Sequence, residues 1–302
     1  MTYAAVFPGQ GSQAIGMADP WVGHPVGRAV LDEASGVMGR DLVAGCHDET
    51  ALATTAFVQP ALLACGVAAF RVLDDDGVGP WVGAAGHSLG EFGALVAADV
   101  LTLTEALGIV VVRGRAMQRA GEERPGTMAA LLGVDADAAD ALCDDARDDD
   151  VLLVANRNSP VQSVVSGSVA AVERLEAIAK ERKIRAVRLN VAGAFHSSLM
   201  EPAVAEIDAA IDAVTFRSPR FPIAENVSGT LVDDPTELVS LLKRHVVSPV
   251  RWEDCARALA AGGATTFVEC GAGDVLTKLQ KRIDADVRAV AVTDPDAVHR
   301  IG

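Results

Sequence analysis

Apolar residues fall along this chain in two alternating rhythms. Short apolar runs closed by glycine or proline predict buried strands at Tyr3–Phe7, stopped by Pro8-Gly9, and at Val82–Gly86. Apolar spacings of three and four predict helices over 26–39, 59–74, Leu89–Ala98 and Thr104–Ala120. Strand, glycine turn and helix in succession point to an α/β fold with a parallel sheet, since parallel neighbours need a crossover.

The pattern changes in the middle. Thr127–Gly133, Val151–Val154, Ser163–Ser166 and Ile184–Leu189 read as strands, and Ala136–Ala146 and Val169–Lys183 as helices. Strand-helix-strand-strand-helix-strand is the ferredoxin-like order. Residues 126–191 therefore read as a compact small subdomain inserted in a larger one made of 1–125 and 192–302. Beyond the insert the alternation resumes, with a helix over Leu199–Val214, a strand over Phe221–Val227, a helix over Glu237–Val246 and a strand over Phe267–Cys270.

Half of the 302 residues are apolar but only 4% are aromatic, so the core is built from Ala, Val and Leu. A net charge of -15 argues against nucleic acid and anionic membrane as partners. Apolar stretches such as Ala94–Ala98 and Ile109–Val112 are too short to span a bilayer, and the start of the chain does not read as a secretory signal. Cys46, Cys65, Cys143, Cys255 and Cys270 are widely spaced without a CxxC pair. That argues against a disulfide framework or a zinc site and for a reducing cytoplasm. The five aspartates of Asp144–Asp150 read as a solvated loop or helix end rather than a metal site.

Gly86-His87-Ser88-Leu89-Gly90 fits G-x-S-x-G in the strand-turn-helix context that the motif requires. The glycines permit a sharp turn with Ser88 at its apex. The helix N-terminus stabilises negative charge, and the Leu89 N–H can donate to an oxyanion. Such a serine needs a base. His87 adjoins it and should diverge from it, while His24, His47 and His299 lie in unpatterned polar segments. Composition leaves His196 and His245 open as the base.

Three other readings compete. Gly9-Gln10-Gly11-Ser12-Gln13-Ala14, with Asp32 beyond it, imitates a dinucleotide fingerprint, but Pro8 and the Gln10 side chain do not suit that tight turn. A serine hydrolase or thioesterase would order Ser, then Asp or Glu, then His, and many acids lie between Ser88 and His196. A non-catalytic docking module would have no use for Ser88, His196 and Arg113 together.

Several ordered segments together closely resemble malonyl-CoA:acyl carrier protein transacylases and the acyltransferase domains of polyketide synthases. They are Phe7-Pro8-Gly9-Gln10-Gly11-Ser12-Gln13, Gln59-Pro60-Ala61-Leu62, the Ser88 motif, Arg113-Gly114-Arg115-Ala116-Met117-Gln118, Asn156-Arg157-Asn158-Ser159-Pro160, Gly193-Ala194-Phe195-His196, Ser248-Pro249-Val250-Arg251-Trp252 and Gly271-Ala272-Gly273-Asp274-Val275-Leu276. The resemblance runs nearly end to end and implies an α/β-hydrolase-like large subdomain with a ferredoxin-like small one.

It also implies the roles. Ser88 is the nucleophile and His196 its base. The N–H groups of Gln10 and Leu89 form the oxyanion hole, and Arg113 holds the free carboxylate of a malonyl group. Gln59, His87, Met117 and Phe195 line the pocket. A backbone carbonyl orients His196, at a position often Gln in the family and here His245. Val161 and Phe92 depart from the usual Gly and Tyr. The implied reaction moves malonyl from malonyl-CoA to the phosphopantetheine thiol of an acyl carrier protein through a Ser88 acyl-enzyme. The enzyme would be monomeric and cytoplasmic, with no bound cofactor, and methylmalonyl-CoA is the alternative donor. Fatty acid and polyketide synthesis both remain open. For the acidic carrier, the basic residues Arg174, Lys180, Arg182, Lys183, Arg185 and Arg188, with Lys278, Lys281 and Arg282, are the candidate surface.

Overall fold

The computed structural model describes residues 1–301, which form two sheets. The larger has six strands, β1 (Tyr3–Phe7), β2 (Trp81–Gly86), β7 (Ile223–Ala224), β8 (Leu231–Val232), β9 (Thr266–Cys270) and β10 (Arg288–Val292), in the order β10-β9-β1-β2-β7-β8. All neighbours are parallel except the β7–β8 edge hairpin. β1 and β9 are buried at every residue, as strands covered on both faces must be.

Helices fill the crossovers. Between β1 and β2 run α1 (Asp19–Val22), α2 (Pro25–Met38), α3 (Leu42–Gly45), α4 (Glu49–Leu52) and α5 (Thr55–Asp75), and α6 (Glu91–Ala97) and α7 (Leu103–Glu123) follow β2. The helix expected over 59–74 starts four residues earlier, after the extended N-cap Thr54, and carries Pro60 within its first turns. With a mean hydropathy of 1.7 over its best window, α5 is apolar and long enough to cross a bilayer, contrary to the expectation from short runs. It is instead a core helix, with 89% of that window buried.

The second sheet is antiparallel, with β3 (Gly126–Leu132), β4 (Leu152–Ser159), β5 (Gln162–Ser168) and β6 (Arg185–Arg188) in the order β4-β5-β3-β6. Helices α8 (Ala136–Arg147) and α9 (Val169–Glu181) cover one face. Alternation along β3 divides its side chains, with Ala129 and Leu131 joining the core beneath these helices and Met128 and Ala130 the core of the larger sheet. The aspartate run at the end of α8 makes surface ion pairs, Asp144 with Arg147, Asp145 with Arg182 and Asp150 with Arg174.

The last third holds α10 (Glu201–Asp212), α11 (Pro235–Arg244), α12 (Trp252–Ala261) and α13 (Val275–Ile283). The pattern reading leaves α12, α13 and β10 unassigned. Trp252, Cys255, Ala256 and Leu259 nevertheless form a buried stripe at helical spacing. The strand expected over Phe221–Val227 shrinks to Ile223–Ala224. Glu225 ends it, because its carboxylate folds forward to accept the N–H groups of Val227 and Ser228.

Candidate active site

The chain turns sharply after β2, and two glycines make this possible. A Cβ on Gly86 would sit 1.8 Å from the Gly90 carbonyl carbon, and one on Gly90 would sit 2.0 Å from the Phe7 carbonyl oxygen. No side chain fits at either position. Ser88, at the apex, adopts a left-handed φ of 50°. A non-glycine residue held there costs about 1–3 kcal/mol, which the surroundings must supply.

Loops and helices from distant parts of the chain meet at this serine. Its Oγ lies 2.8 Å from His196 Nε2, and Arg113 Nη2 donates to it at 3.1 Å. Arg113 comes from α7 and His196 from the loop after β6. These two pieces touch through glycine, for a Cβ on Gly121 of α7 would lie 2.3 Å from the Ala192 carbonyl oxygen. His196 also has a left-handed φ, 60°. Both backbone outliers among the site residues thus carry the groups that face each other.

The tautomer of His196 follows from its neighbours. Nδ1 lies 3.0 Å from the His245 carbonyl oxygen and 3.1 Å from that of Ser248. Carbonyls only accept, so Nδ1 carries the hydrogen and the lone pair of Nε2 faces the serine hydroxyl. A carbonyl pair takes the place that a carboxylate fills in a Ser-His-Asp triad. Burial, and secondarily the Arg113 charge, push His196 down to about 3, so the ring is neutral and available as a base at physiological pH.

Arg113 is 1% exposed and makes no ion pair among the described residues, the buried Glu91 carboxyl acting on it only from beyond ion-pair distance. Nη1 donates to Gln59 Oε1 at 2.7 Å and Nη2 to Ser88, while Nε has no partner. Burial lowers it to about 10, which leaves it charged at neutral pH. A buried cation without a paired counter-ion is expensive. It lies against a cleft of about 490 Å³, open to solvent and lined by Gln10, Gln59, His87, Ser88, Leu89, Met117 and Phe195 among others. Every pocket residue named from the sequence is therefore at the cleft wall. His245 is not. Its carbonyl reaches His196, while its ring packs behind that imidazole with centroids 5.4 Å apart.

Sequence reasoning assigned no role to several neighbours. Asn158 Oδ1 lies 2.8 Å from His87 Nε2, Asn226 Oδ1 accepts the Ser88 N–H at 2.8 Å, and Met128, Asn156, Leu189 and Val191 complete the cleft. Asn156, Asn158 and Ser248 lie in segments that carry the family resemblance. Asn226 had no signal, since it fell inside an expected strand.

His245 yields a test of the buried site. Both ring nitrogens are buried without partners, and burial lowers its pKa well below the usual value. Below about pH 6.5 the unfolded chain binds a proton that the folded ring refuses, so stability is lost as pH falls from there toward the folded pKa. His245→Gln removes this term. Between pH 6.5 and 5 its unfolding free energy should fall less steeply than that of the wild type, by about 1 kcal/mol per pH unit and at most about 1.4. Parallel urea titrations measure this, and equal slopes would show that His245 is not held neutral.

The model of the acyl transferase domain family matches residues 4–293. The malonyl CoA-acyl carrier protein transacylase of Bacillus subtilis strain 168 is 37% identical over 300 residues, covering 98% of this chain and 94% of that protein. The crystal structure of an acyl-carrier-protein S-malonyltransferase from Burkholderia pseudomallei 1710b superposes with a TM-score of 0.95 at 38% identity, covering 100% of this chain and 99% of the other. A malonyl-transacylase in complex with its type II polyketide acyl-carrier protein superposes equally well, at 0.95 with 36% identity, covering 99% of this chain and 98% of its own. With two-subdomain architecture and near-complete coverage on both sides, the chain belongs to the acyl transferase domain family.

Proposed function

We propose that the protein transfers a malonyl group from malonyl-CoA to the phosphopantetheine thiol of an acyl carrier protein, with Ser88 as the nucleophile. The observation that carries this reading is Arg113, a buried guanidinium that makes no ion pair among the described residues, within hydrogen-bond reach of the serine that His196 activates. An ester substrate with one carbonyl would leave that charge uncompensated. A short diacid thioester satisfies it, with one end held by the planar fork of Arg113 and the thioester carbonyl at Ser88.

In the first half-reaction Ser88 Oγ attacks the thioester carbonyl and His196 Nε2 takes its proton. The oxyanion receives the N–H groups of Gln10 and Leu89. Collapse expels the coenzyme A sulfur, which takes the proton from His196. In the second half-reaction the carrier thiol gives its proton to His196 and attacks the acyl-serine. Collapse then returns that proton to Ser88. A serine hydrolase would follow the same path with water as the second nucleophile. The deciding measurement is the fate of preformed malonyl-enzyme. Discharge to a phosphopantetheinylated carrier far faster than hydrolysis is expected, and equal rates would favour the hydrolase.

The basic surface proposed for the carrier is smaller than the sequence implied. Arg174, Arg182 and Arg188 pair with Asp150, Asp145 and Glu176, and Lys278 pairs with Asp274. Lys180, Lys183, Arg185, Lys281 and Arg282 make no ion pair among the described residues, and the first three line a surface hollow with Glu176. These three adjoin β6, and the cleft residues Leu189 and Val191 follow that strand directly. Lys180→Glu with Lys183→Glu should raise the KM for carrier several-fold and leave that for malonyl-CoA unchanged. Equal effects on both substrates would exclude this surface.

A further inference from the structure

The sharp turn at Ser88 takes two backbone groups out of the sheet, and a side chain collects both. In a parallel ladder, one residue of the neighbouring strand brackets another, its N–H donating to the carbonyl before it and its C=O accepting from the N–H after it. β2 and β7 pair in this way only as far as Ala85 and Ala224. Beyond them β7 turns away, and on either side of His87 the Asn226 carboxamide stands in for the backbone N–H and C=O that a continued strand would present. Nδ2 donates to the Gly86 carbonyl at 2.7 Å, and Oδ1 accepts the Ser88 N–H at 2.8 Å.

Asn226 is itself fixed. It is fully buried, its N–H donates to Glu91 Oε2 at 3.1 Å, and its carbonyl accepts the Arg251 N–H at 2.9 Å. We propose that Asn226 is a positioning residue for the nucleophile: its carboxamide extends the ladder across the turn and holds Ser88 in its left-handed conformation, so that Oγ stays between His196 and Arg113. This rests on Ser88 being the acylated residue. The Glu225 cap that ends β7 at Ala224 frees the Asn226 side chain to reach the turn.

The carboxamide needs one acceptor and one donor at once, which makes Asn226→Asp diagnostic. As a carboxylate it has no hydrogen for the Gly86 carbonyl. As a neutral acid it makes both bonds. The groups facing it are Glu91 on α6, Glu225 beside it, Cys255 on α12 with Sγ 4.0 Å from Nδ2, and His87 on the turn, with Arg113 beyond Glu91. Burial and two neighbouring carboxyl groups favour the neutral acid as pH falls.

The single-turnover rate of Ser88 acylation by malonyl-CoA, measured by rapid quench, should therefore rise in Asn226→Asp by roughly tenfold or more from pH 8.5 to 6. The wild-type rate should not rise. Asn226→Ala should acylate about 10²-fold more slowly at every pH, with an unchanged Kd for malonyl-CoA. If Asn226→Ala does not fold, Asn226→Asp, checked by circular dichroism at each pH, decides alone. An Asn226→Asp profile with the wild-type shape would overturn the positioning role. A wild type that accepts no malonyl group would instead overturn the reading of Ser88.

Discussion

Arg113→Ala should invert the acyl preference of the enzyme. In the wild type a malonyl carboxylate brings the missing counter-ion to a guanidinium that is 1% exposed. Removing one partner of such a buried pair leaves the other uncompensated, at about 3–5 kcal/mol. The kcat/KM for malonyl-CoA should fall by roughly 10²–10⁴-fold, at about 1.4 kcal/mol per decade. Acetyl-CoA has no second carboxylate and binds the wild type with Arg113 still unpaired. Its kcat/KM should hold or rise in Arg113→Ala, because the buried charge is gone while Ser88, His196 and the backbone donors remain. Competition between the two thioesters, read by mass, measures the ratio directly. A uniform loss on both substrates would mean that Arg113 supports the fold or the serine rather than the diacid. Arg113→Lys should recover only part of the preference, since a point charge lacks the planar fork.

His196→Ala should slow both half-reactions, by about 10²–10⁴-fold each, since one imidazole handles the proton in both directions. The free wild-type enzyme should show no acid limb in kcat/KM for malonyl-CoA between pH 8 and 5. His196 is held down to about 3 by burial and then by Arg113, so it stays neutral throughout that range. Its activity as a base is lost only as pH falls through the folded pKa. An acid limb near the ordinary histidine value would show that the imidazole is solvated in the free enzyme. A mutant impaired in acylation but not in discharge to the carrier would give the second step a different base.

The contrast between what the sequence told and what it withheld is physical. The Ser88 turn was legible because its glycines have no substitutes, with a Cβ on Gly86 or Gly90 falling inside a backbone atom. The βαββαβ order of the small sheet was legible because strand and helix periods alternate cleanly over it. The choice between His196 and His245 was not, since both are buried histidines late in the chain. Only coordinates separate a ring 2.8 Å from the serine from one that offers its carbonyl. Resemblance supplied the assignment that periodicity could not. Asn226 was illegible for a related reason. Local pattern made it a strand residue, whereas its partners Gly86 and Ser88 lie about 140 positions away. The basic surface was over-read, because a list of cations does not show which are already paired.

Intact-protein mass after incubation with malonyl-CoA tests most directly whether Ser88 carries the acyl group. The wild type should gain one malonyl group and lose it when a phosphopantetheinylated carrier is added, and Ser88→Ala should gain none. A malonyl adduct that persists in Ser88→Ala would contradict the assignment of the nucleophile and, with it, the roles given to His196 and Arg113.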